Sequence, residues 1–429
     1  MKKLLVLANL LFIFTLLAAC AAPSGSSGQQ SYVQSDKPRD TQPNVSTGDL
    51  EKLTAGNRAF AFSLYQLLRG QEGNLFYSPH SISVALAMTY AGARGDTATQ
   101  MQQALHFTLP ESSLHPAFNA LQQALAERET DKNNDKETNF RLNVVNALWG
   151  QTGYTFLPAY LDLLSQNYGA GMHLLDFHAD PEAARQVINQ WVAEQTADKI
   201  KDLIPPSTLD QATTLVLTNA IYFNAPWLHQ FNPDNTAPAP FNLRNGSQVS
   251  VPTMKISEQF GYYQGEGFIL LELPYAGNQV SMFLLIPDQG KFGQVEQNLT
   301  PEQWDAAIQG LNYVQVNLAM PKFSFTSELA LSDPLSRAGM PIAFQPDRAD
   351  FSGMDGTKTL FISDVLHKAF INLDESGTEA AAATAVVIGK TSMPAEPINI
   401  NVDRPFLFAI QDKPTGEILF LGRVVDPSK

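Results

Sequence analysis

The stretch Leu373–Met393, L-D-E-S-G-T-E-A-A-A-A-T-A-V-V-I-G-K-T-S-M, constrains the fold more than any other part of the chain. Two readings are open. As a helix, Ser376 would cap, Glu379 three residues on would complete a capping box, and Ala380 to Ala383 are the best helix formers available. As a strand, Ser376, Thr378, Ala380, Ala382, Thr384, Val386 and Ile388 share one face, all small or β-branched, with Glu379 on the other. The flanks favour extended chain. Leu360 to Leu373 reads as a long strand, and Ile398 to Val402 (I-N-I-N-V) alternates strictly. Gly377 supplies a permissive hinge. Nothing on the small face is too bulky or charged to enter a packed sheet as an added strand.

The block E-S-G-T-E-A-A-A-A-T, about fifty residues from the C-terminus between two strands, resembles the hinge of the reactive-centre loop of inhibitory serpins. Other blocks agree in order: N-L-F-Y-S-P-H-S-I-S from Asn74, I-N-Q-W-V from Ile188, T-N-A-I-Y-F from Thr218, M-P-K-F-S-F from Met320, A-D-F-S-G-M from Ala349 and R-P-F-L-F from Arg404. The likeness covers residues 50–429. It implies an α+β serpin fold: three β-sheets with a large, mainly antiparallel central sheet, eight or nine helices, and an exposed loop over about 375–397. One departure stands out. Where the family has Lys-Gly-x-Trp after the central strand, this chain has Asn224-Ala225-Pro226-Trp227; Trp227 is kept, and the lysine and glycine are not.

The N-terminus has its own pattern. Lys2 and Lys3 precede an apolar run from Leu4 to Leu17, then L-A-A-C ending at Cys20, the chain's single cysteine. Residues 1–19 read as a signal peptide, and the ending resembles a bacterial lipobox, with Cys20 the lipidated residue; cleavage after Ala-Ala beside an incidental cysteine is the other reading. Residues 20–48, rich in Ser, Gly, Gln and Pro, read as the lipidated cysteine and a flexible tether, with residues 49–429 as one domain. The expectation is a secreted, membrane-anchored lipoprotein on the extracytoplasmic side of a bacterial envelope. Asn44, Asn245 and Asn298 lie in glycosylation triplets, which in that setting read as chance. One cysteine leaves no intramolecular disulfide and no internal thiol nucleophile. A net charge of −14, moving to −16 without Lys2 and Lys3, argues against nucleic acid as a partner.

Further along, apolar spacing predicts helices over Leu50–Leu68 and Pro158–Tyr168, and one from Pro181 with a turn before Ile204. Ser78 should cap a buried helix with Pro79 in its first turn. Thr213 to Phe223 is nearly all apolar, hence a central strand buried on both faces. Residues 130–139 read as a solvated loop. Val251–Pro287 is strand-rich, Pro301–Ile308 helical, and the tail a hairpin turning at Pro414-Thr415-Gly416.

No enzyme constellation can be assembled: there is no G-x-S-x-G, H-E-x-x-H or phosphate-cradling loop, and no cofactor or metal is expected. The sites come from the resemblance. The hinge maps to Glu375, Gly377, Thr378, Glu379, Ala380, Ala381, Ala382, Ala383 and Thr384. His367 maps to a polar cluster under the sheet with Asn219, Ser78 and Ser81, and should lie within hydrogen-bond reach of Asn219. Glu375 is expected either to pair with Lys291 at the sheet's upper opening, near Trp227, or to make only a weak surface contact. Family spacing counted from Glu375 and back from Pro405 places the scissile bond at Thr391–Ser392; a one-residue slip gives Lys390–Thr391. A threonine before the bond suits an elastase-like or subtilisin-like serine protease, a lysine a trypsin-like one. The resemblance implies a monomeric suicide-substrate inhibitor. Two other readings stay open: a serpin-fold protein that binds or decoys without inhibiting, and a solute-binding lipoprotein module.

Overall fold

The computed structural model describes residues 30–131, 136, 137, 141–378 and 396–429. Its organising element is a seven-stranded sheet. In chain order the strands are β1 (Ser31–Val33), β2 (Arg141–Gln151), β3 (Met172–Leu175), β4 (Leu215–Pro226), β5 (Phe323–Ala330), β6 (Ile362–Leu373) and the two-residue β7 (Gly377–Thr378). They lie in the order β1-β3-β2-β4-β7-β6-β5. Most neighbours are antiparallel, but β2–β3 and β4–β6 run parallel. β4 and β6 pair directly from Leu215/Ile362 to Ile221/Ala369, while at the upper end β7 stands between them.

A nine-stranded sheet packs behind it, running from Ile398–Asn401 through Asn312–Pro321, Gln248–Gln264, Phe268–Pro274, Val280–Pro287, Phe406–Asp412 and Ile418–Val424 to Leu75–Tyr77. Ala237–Asn242 pairs off this path. The C-terminal hairpin is present as expected. The polar segment after Glu129 is not simply a loop: Thr130–Asp131 pairs with Lys136–Glu137, a third, two-stranded sheet. The described residues hold ten α-helices against the eight or nine expected, the surplus being short turns such as Ser352–Asp355.

Burial on both faces explains why the central strands read as continuous apolar runs. Leu215, Leu217, Ile221 and Phe223 of β4 enter the main core between the sheets, with helices α1 (Thr47–Leu68) and α2 (Pro79–Tyr90). Val216 and Ala220, with Val145 and Trp149 of β2 and Leu366 of β6, face the opposite way onto Ile188 and Val192 of a third helix. That helix starts at Pro181 behind an Asp180 cap. It therefore lies over the β4–β6 seam.

The N-terminal tether is shorter than expected. Residues from Ser31 onward are packed against the domain: β1 adds an edge strand on β3, Lys37 pairs with Asp162 at 2.7 Å, and Arg39 donates to Asn119 and Gln122. Pairing through the backbone needs no apolar pattern, so composition could not reveal it. No helix among the described residues is long and apolar enough to cross a membrane. Cys20 and residues 379–395 lie outside the described residues.

Candidate functional site: a strand gap and its two fastenings

At the upper end of the sheet the chain leaves β6, turns at Asp374–Ser376, and re-enters as β7. The turn is tight: Asp374 N–H donates to the Gly377 carbonyl at 2.9 Å, and Ser376 N–H to the Asp374 carboxylate at 2.8 Å. Trp227, just beyond β4, holds it from the other side. Its backbone N–H donates to the Ser376 carbonyl at 2.9 Å and its indole N–H to the Asp374 carbonyl at 3.0 Å. The ring stacks on Tyr275 with centroids 4.6 Å apart.

β7 then fits where only small residues can. Gly377 has φ +152°, and a Cβ there would sit 2.2 Å from the Ala225 carbonyl oxygen. Thr378 is buried, its hydroxyl 2.7 Å from Tyr275 Oη. Gly377 and Thr378 are thus already in the sheet rather than exposed. Asn224-Ala225-Pro226, the departure noted in the sequence, forms the β4 wall of this slot, with Gly377 opposite Pro226 and Thr378 opposite Ala225.

Glu375 does not pair with Lys291. Lys291 immediately precedes the helix Phe292–Asn298, its side chain lying over Gly267 in a connection of the other sheet. The partner is Lys322, next to β5, whose Nζ lies 2.6 Å from Glu375 Oε2, while the Thr236 hydroxyl donates to Oε1 at 2.7 Å. Burial alone would raise the Glu375 carboxyl, but its hydrogen bonds from Lys322, Thr236 and its own backbone N–H hold it below the usual range. Phe231 N–H donates to its carbonyl at 3.0 Å.

The second fastening lies lower on the seam. His367 on β6 and Asn219 on β4 are directly opposite, and His367 Nδ1 meets Asn219 Oδ1. Ser78 N–H donates to His367 Nε2 at 3.2 Å, so the ring is neutral with its proton on Nδ1, donating to Asn219. Burial agrees, lowering the imidazole to about 3. Asn219 Nδ2 donates to both Ser81 Oγ and Asn146 Oδ1. Ser81 Oγ donates to Asn146 Oδ1 at 3.0 Å, and Asn146 Nδ2 returns a bond to the Ser81 carbonyl at 3.1 Å. Ser78 Oγ caps α2, accepting from Ser81 N–H, and donates to the Leu419 carbonyl. One buried network therefore joins α2, β2, β4 and β6.

Sequence reasoning missed Asn146, although an asparagine between Val144 and Leu148 on the inward face of β2 breaks the apolar alternation. It also missed Lys322, Thr236 and Tyr275, which are sequence-distant from the hinge. Thr391, Ser392, Lys390 and the hinge from Glu379 to Thr384 lie outside the described residues.

Comparison with known proteins follows the same outline. The family model for serpins, serine protease inhibitors, matches residues 55–427. A serpin-like protein of Thermococcus kodakarensis is 36% identical, the match covering 100% of this chain and 99% of that one. Leukocyte elastase inhibitor from Homo sapiens is 37% identical over 88% of this chain and 100% of its own. Among solved structures, native tengpin, a thermophilic serpin, aligns with a TM-score of 0.81 at 27% identity, covering 93% of this chain and 100% of its own. Serpin48 of the insect Tenebrio molitor gives 0.77 at 32%, covering 89% and 99%. By sequence, by sheet order and by the site just described, the chain belongs to the serpin family.

Proposed function

We propose that the protein is a suicide-substrate inhibitor of a serine protease, working by cleavage of the loop after β7 and entry of its hinge into the β4–β6 seam. The observation that carries this reading is β7 itself: Gly377 and Thr378 of the hinge already occupy the slot in antiparallel register with both neighbours. Continuing both registers one residue at a time carries Ala382 between Ile221 and Ala369, and Thr384 between Asn219 and His367. The advancing strand would thus part the seam and replace the His367–Asn219 bond, with a threonine hydroxyl available to both partners.

The protease would attack the carbonyl of Thr391, or of Lys390 on the one-residue slip, and form an acyl-enzyme. Cleavage frees the hinge from its downstream strand, and insertion competes with hydrolysis of the acyl bond. About ten further residues, at ~1 kcal/mol net per ladder hydrogen bond plus burial of the small face, amount to on the order of 10 kcal/mol or more. That is enough to drag an acylated protease and distort its catalytic geometry. The resemblance to leukocyte elastase inhibitors, with a threonine before the bond, supports an elastase-like or subtilisin-like target.

The test mixes the chain with elastase, subtilisin and trypsin and looks for an adduct that survives SDS. Mass analysis of the released peptide would distinguish Thr391–Ser392 from Lys390–Thr391. Cleavage of the loop without any adduct would favour the decoy-substrate reading instead. We also propose lipid anchoring through Cys20 on the extracytoplasmic side of a bacterial envelope, supported by the lipobox. Cys20→Ala should shift the protein from the membrane fraction to the soluble one.

A further inference from the structure

The nine-stranded sheet ends in three strands whose outer face is uniformly polar. Gln248–Gln264 pairs antiparallel with Asn312–Pro321, which pairs parallel with Ile398–Asn401. Period 2 places Ser257 and Gln259 of the first strand, Tyr313, Gln315 and Asn317 of the second, and Asn399 of the third on one side. Lys255, Gly261, Ala319 and Asn401 complete that side. In a chain of net charge −14, these positions hold amides, hydroxyls, one lysine and no carboxylate. The face measures about 20 Å along the middle strand and about 10 Å across. A trough of about 680 Å3 runs over it, lined by Asn235, Lys255, Ser257, Asn317, Asn399 and Asn401.

The side chains on this face are held in place. Gln315 Nε2 donates to Ser257 Oγ at 3.2 Å, Ser257 Oγ donates to Asn317 Oδ1 at 2.7 Å, and Asn317 Nδ2 donates to Asn399 Oδ1 at 2.9 Å. That relay leaves Gln315 Oε1 as an acceptor and Asn399 Nδ2 as a donor, both without a partner among the described residues. The side-chain amides of Gln259 and Asn401 are equally uncommitted there. Tyr313, 63% exposed, is the most exposed large hydrophobic side chain among the described residues. Its hydroxyl donates at 2.9 Å to Oε2 of the buried Glu272, two strands away. Gly261, opposite Tyr313, keeps that path open, since a Cβ there would lie 2.7 Å from the same oxygen. Ser281 and Lys413 hold the other carboxylate oxygen, so the ring is anchored flat to the sheet end rather than free to swing.

The chemistry of the face selects its occupant. A protein partner needs several apolar anchors, and Tyr313 is the one aromatic or large aliphatic group here. A sulfated or phosphorylated polymer needs a basic stripe, and Lys255 stands alone. Fixed amides that both donate and accept, beside an anchored aromatic ring, match a sugar: its hydroxyls do the same, and its C–H face lies against the negative face of the ring. We propose that this sheet face binds an uncharged, extended β-linked polysaccharide, one pyranose ring on Tyr313 and the hydroxyls of its neighbours on Gln259, Gln315, Asn399 and Asn401. Bound glycan would hold the protein on a carbohydrate-bearing surface. The binding is independent of the inhibitory reading.

The probes are cellohexaose and chitohexaose, with dextran as an α-linked control and heparin as an anionic one. Each is titrated against the full chain by calorimetry and ligand-observed NMR in the absence of protease. Saturable binding of at least one hexaose at millimolar concentration or below is expected, insensitive to salt and not displaced by dextran or heparin. Tyr313→Ala should weaken it by about tenfold, and Tyr313→Phe far less, because the ring remains. Gln315→Ala and Asn399→Ala should each weaken it by about two- to tenfold, the range of one neutral hydrogen bond. Neither residue touches Glu272, so these two variants test the face even where Tyr313→Ala lowers the melting temperature. No saturable binding of either hexaose, indifference to the variants, or a salt-sensitive preference for heparin would overturn the proposal. Variants that slow adduct formation with subtilisin while no hexaose binds would overturn it too, assigning the face to protein docking.

Discussion

His367 shows how much can depend on which ring nitrogen carries a proton. Nε2 accepts from Ser78 N–H and Nδ1 donates to Asn219, so a second proton would set two donors against each other at Nε2. The ring's affinity for that proton drops from the usual 6.5 to about 3 in the fold, through burial. The unfolded chain therefore binds more protons between those values, and the contribution, complete above 6.5, is lost progressively as pH falls toward 3. Urea midpoints measured across this window should fall with pH. His367→Gln should lower the midpoint at neutral pH, costing about 1–3 kcal/mol for the broken bonds, and flatten the acid slope. His115 and His173, both lowered to about 4 by burial, slope the same way, so the difference between the two proteins is the quantity to read. At the hinge, Gly377→Ala should expel β7, since its Cβ would overlap the Ala225 carbonyl, and the Trp227 amide should then exchange faster with solvent. Residue by residue, His367, Asn219, Ser78, Ser81 and Trp227 were legible as a resemblance. Lys322 was not: a basic residue's place in the chain does not say which sheet its turn serves, and Lys291 was chosen wrongly for that reason.

Elements were read most securely where their ends carry chemistry. Pro158–Tyr168 begins at its proline and stops at Gly169 with φ +62°, and Ser78 and Asp180 cap the helices that follow them. β1 was missed because an edge strand paired through its backbone needs no apolar alternation. β7 was half-read: period 2 gave its face, and the slot that receives it could only be seen once β4 and β6 were placed. The lower end of β6 carries a further consequence. Asp364 sits where the β4–β6 register shifts, and burial with repulsion from Asp210 raises its carboxyl to about 6. The fold thus disfavours its charge, a penalty absent below the unfolded value of 3.8 and complete above about 6. Asp364→Asn should raise the melting temperature at pH 7.5, the gain shrinking as pH drops below 6. A strand inserting as proposed has the opposite requirement, a small uncharged face. On the proposed mechanism Ala382→Arg should convert inhibitor to substrate, because an unpaired guanidinium entering the core costs several kcal/mol and lets hydrolysis win, while Thr378→Arg should already expel β7 from the native slot. The ratio of adduct to cleaved chain on SDS gels reads this directly.

For the molecule as a whole, the proposed mechanism makes the native arrangement one of two that the same chain can adopt. In it β4 and β6 touch along their lower halves, fastened by the His367 network and covered by the helix beginning at Pro181, while two residues hold the upper end apart. A sheet with one more full-length strand would gain a ladder on each side, so on that mechanism the native state would persist by a barrier rather than by depth. That β4 is central and buried on both faces was legible from its apolar run, whereas the sheet architecture came from the resemblance and the strand order was not foreseen. The partial entry of the hinge was not, because it depends on contacts between Trp227, Tyr275 and the turn at Asp374–Ser376 that lie far apart in the chain. The most direct measurement is thermal unfolding, by circular dichroism or calorimetry, of the intact chain beside the same chain nicked within residues 385–392 and kept with both fragments. A nicked form that melts far above the intact one, by tens of degrees for a gain on the order of 10 kcal/mol, is the result expected. Equal or lower melting of the nicked form would contradict the account.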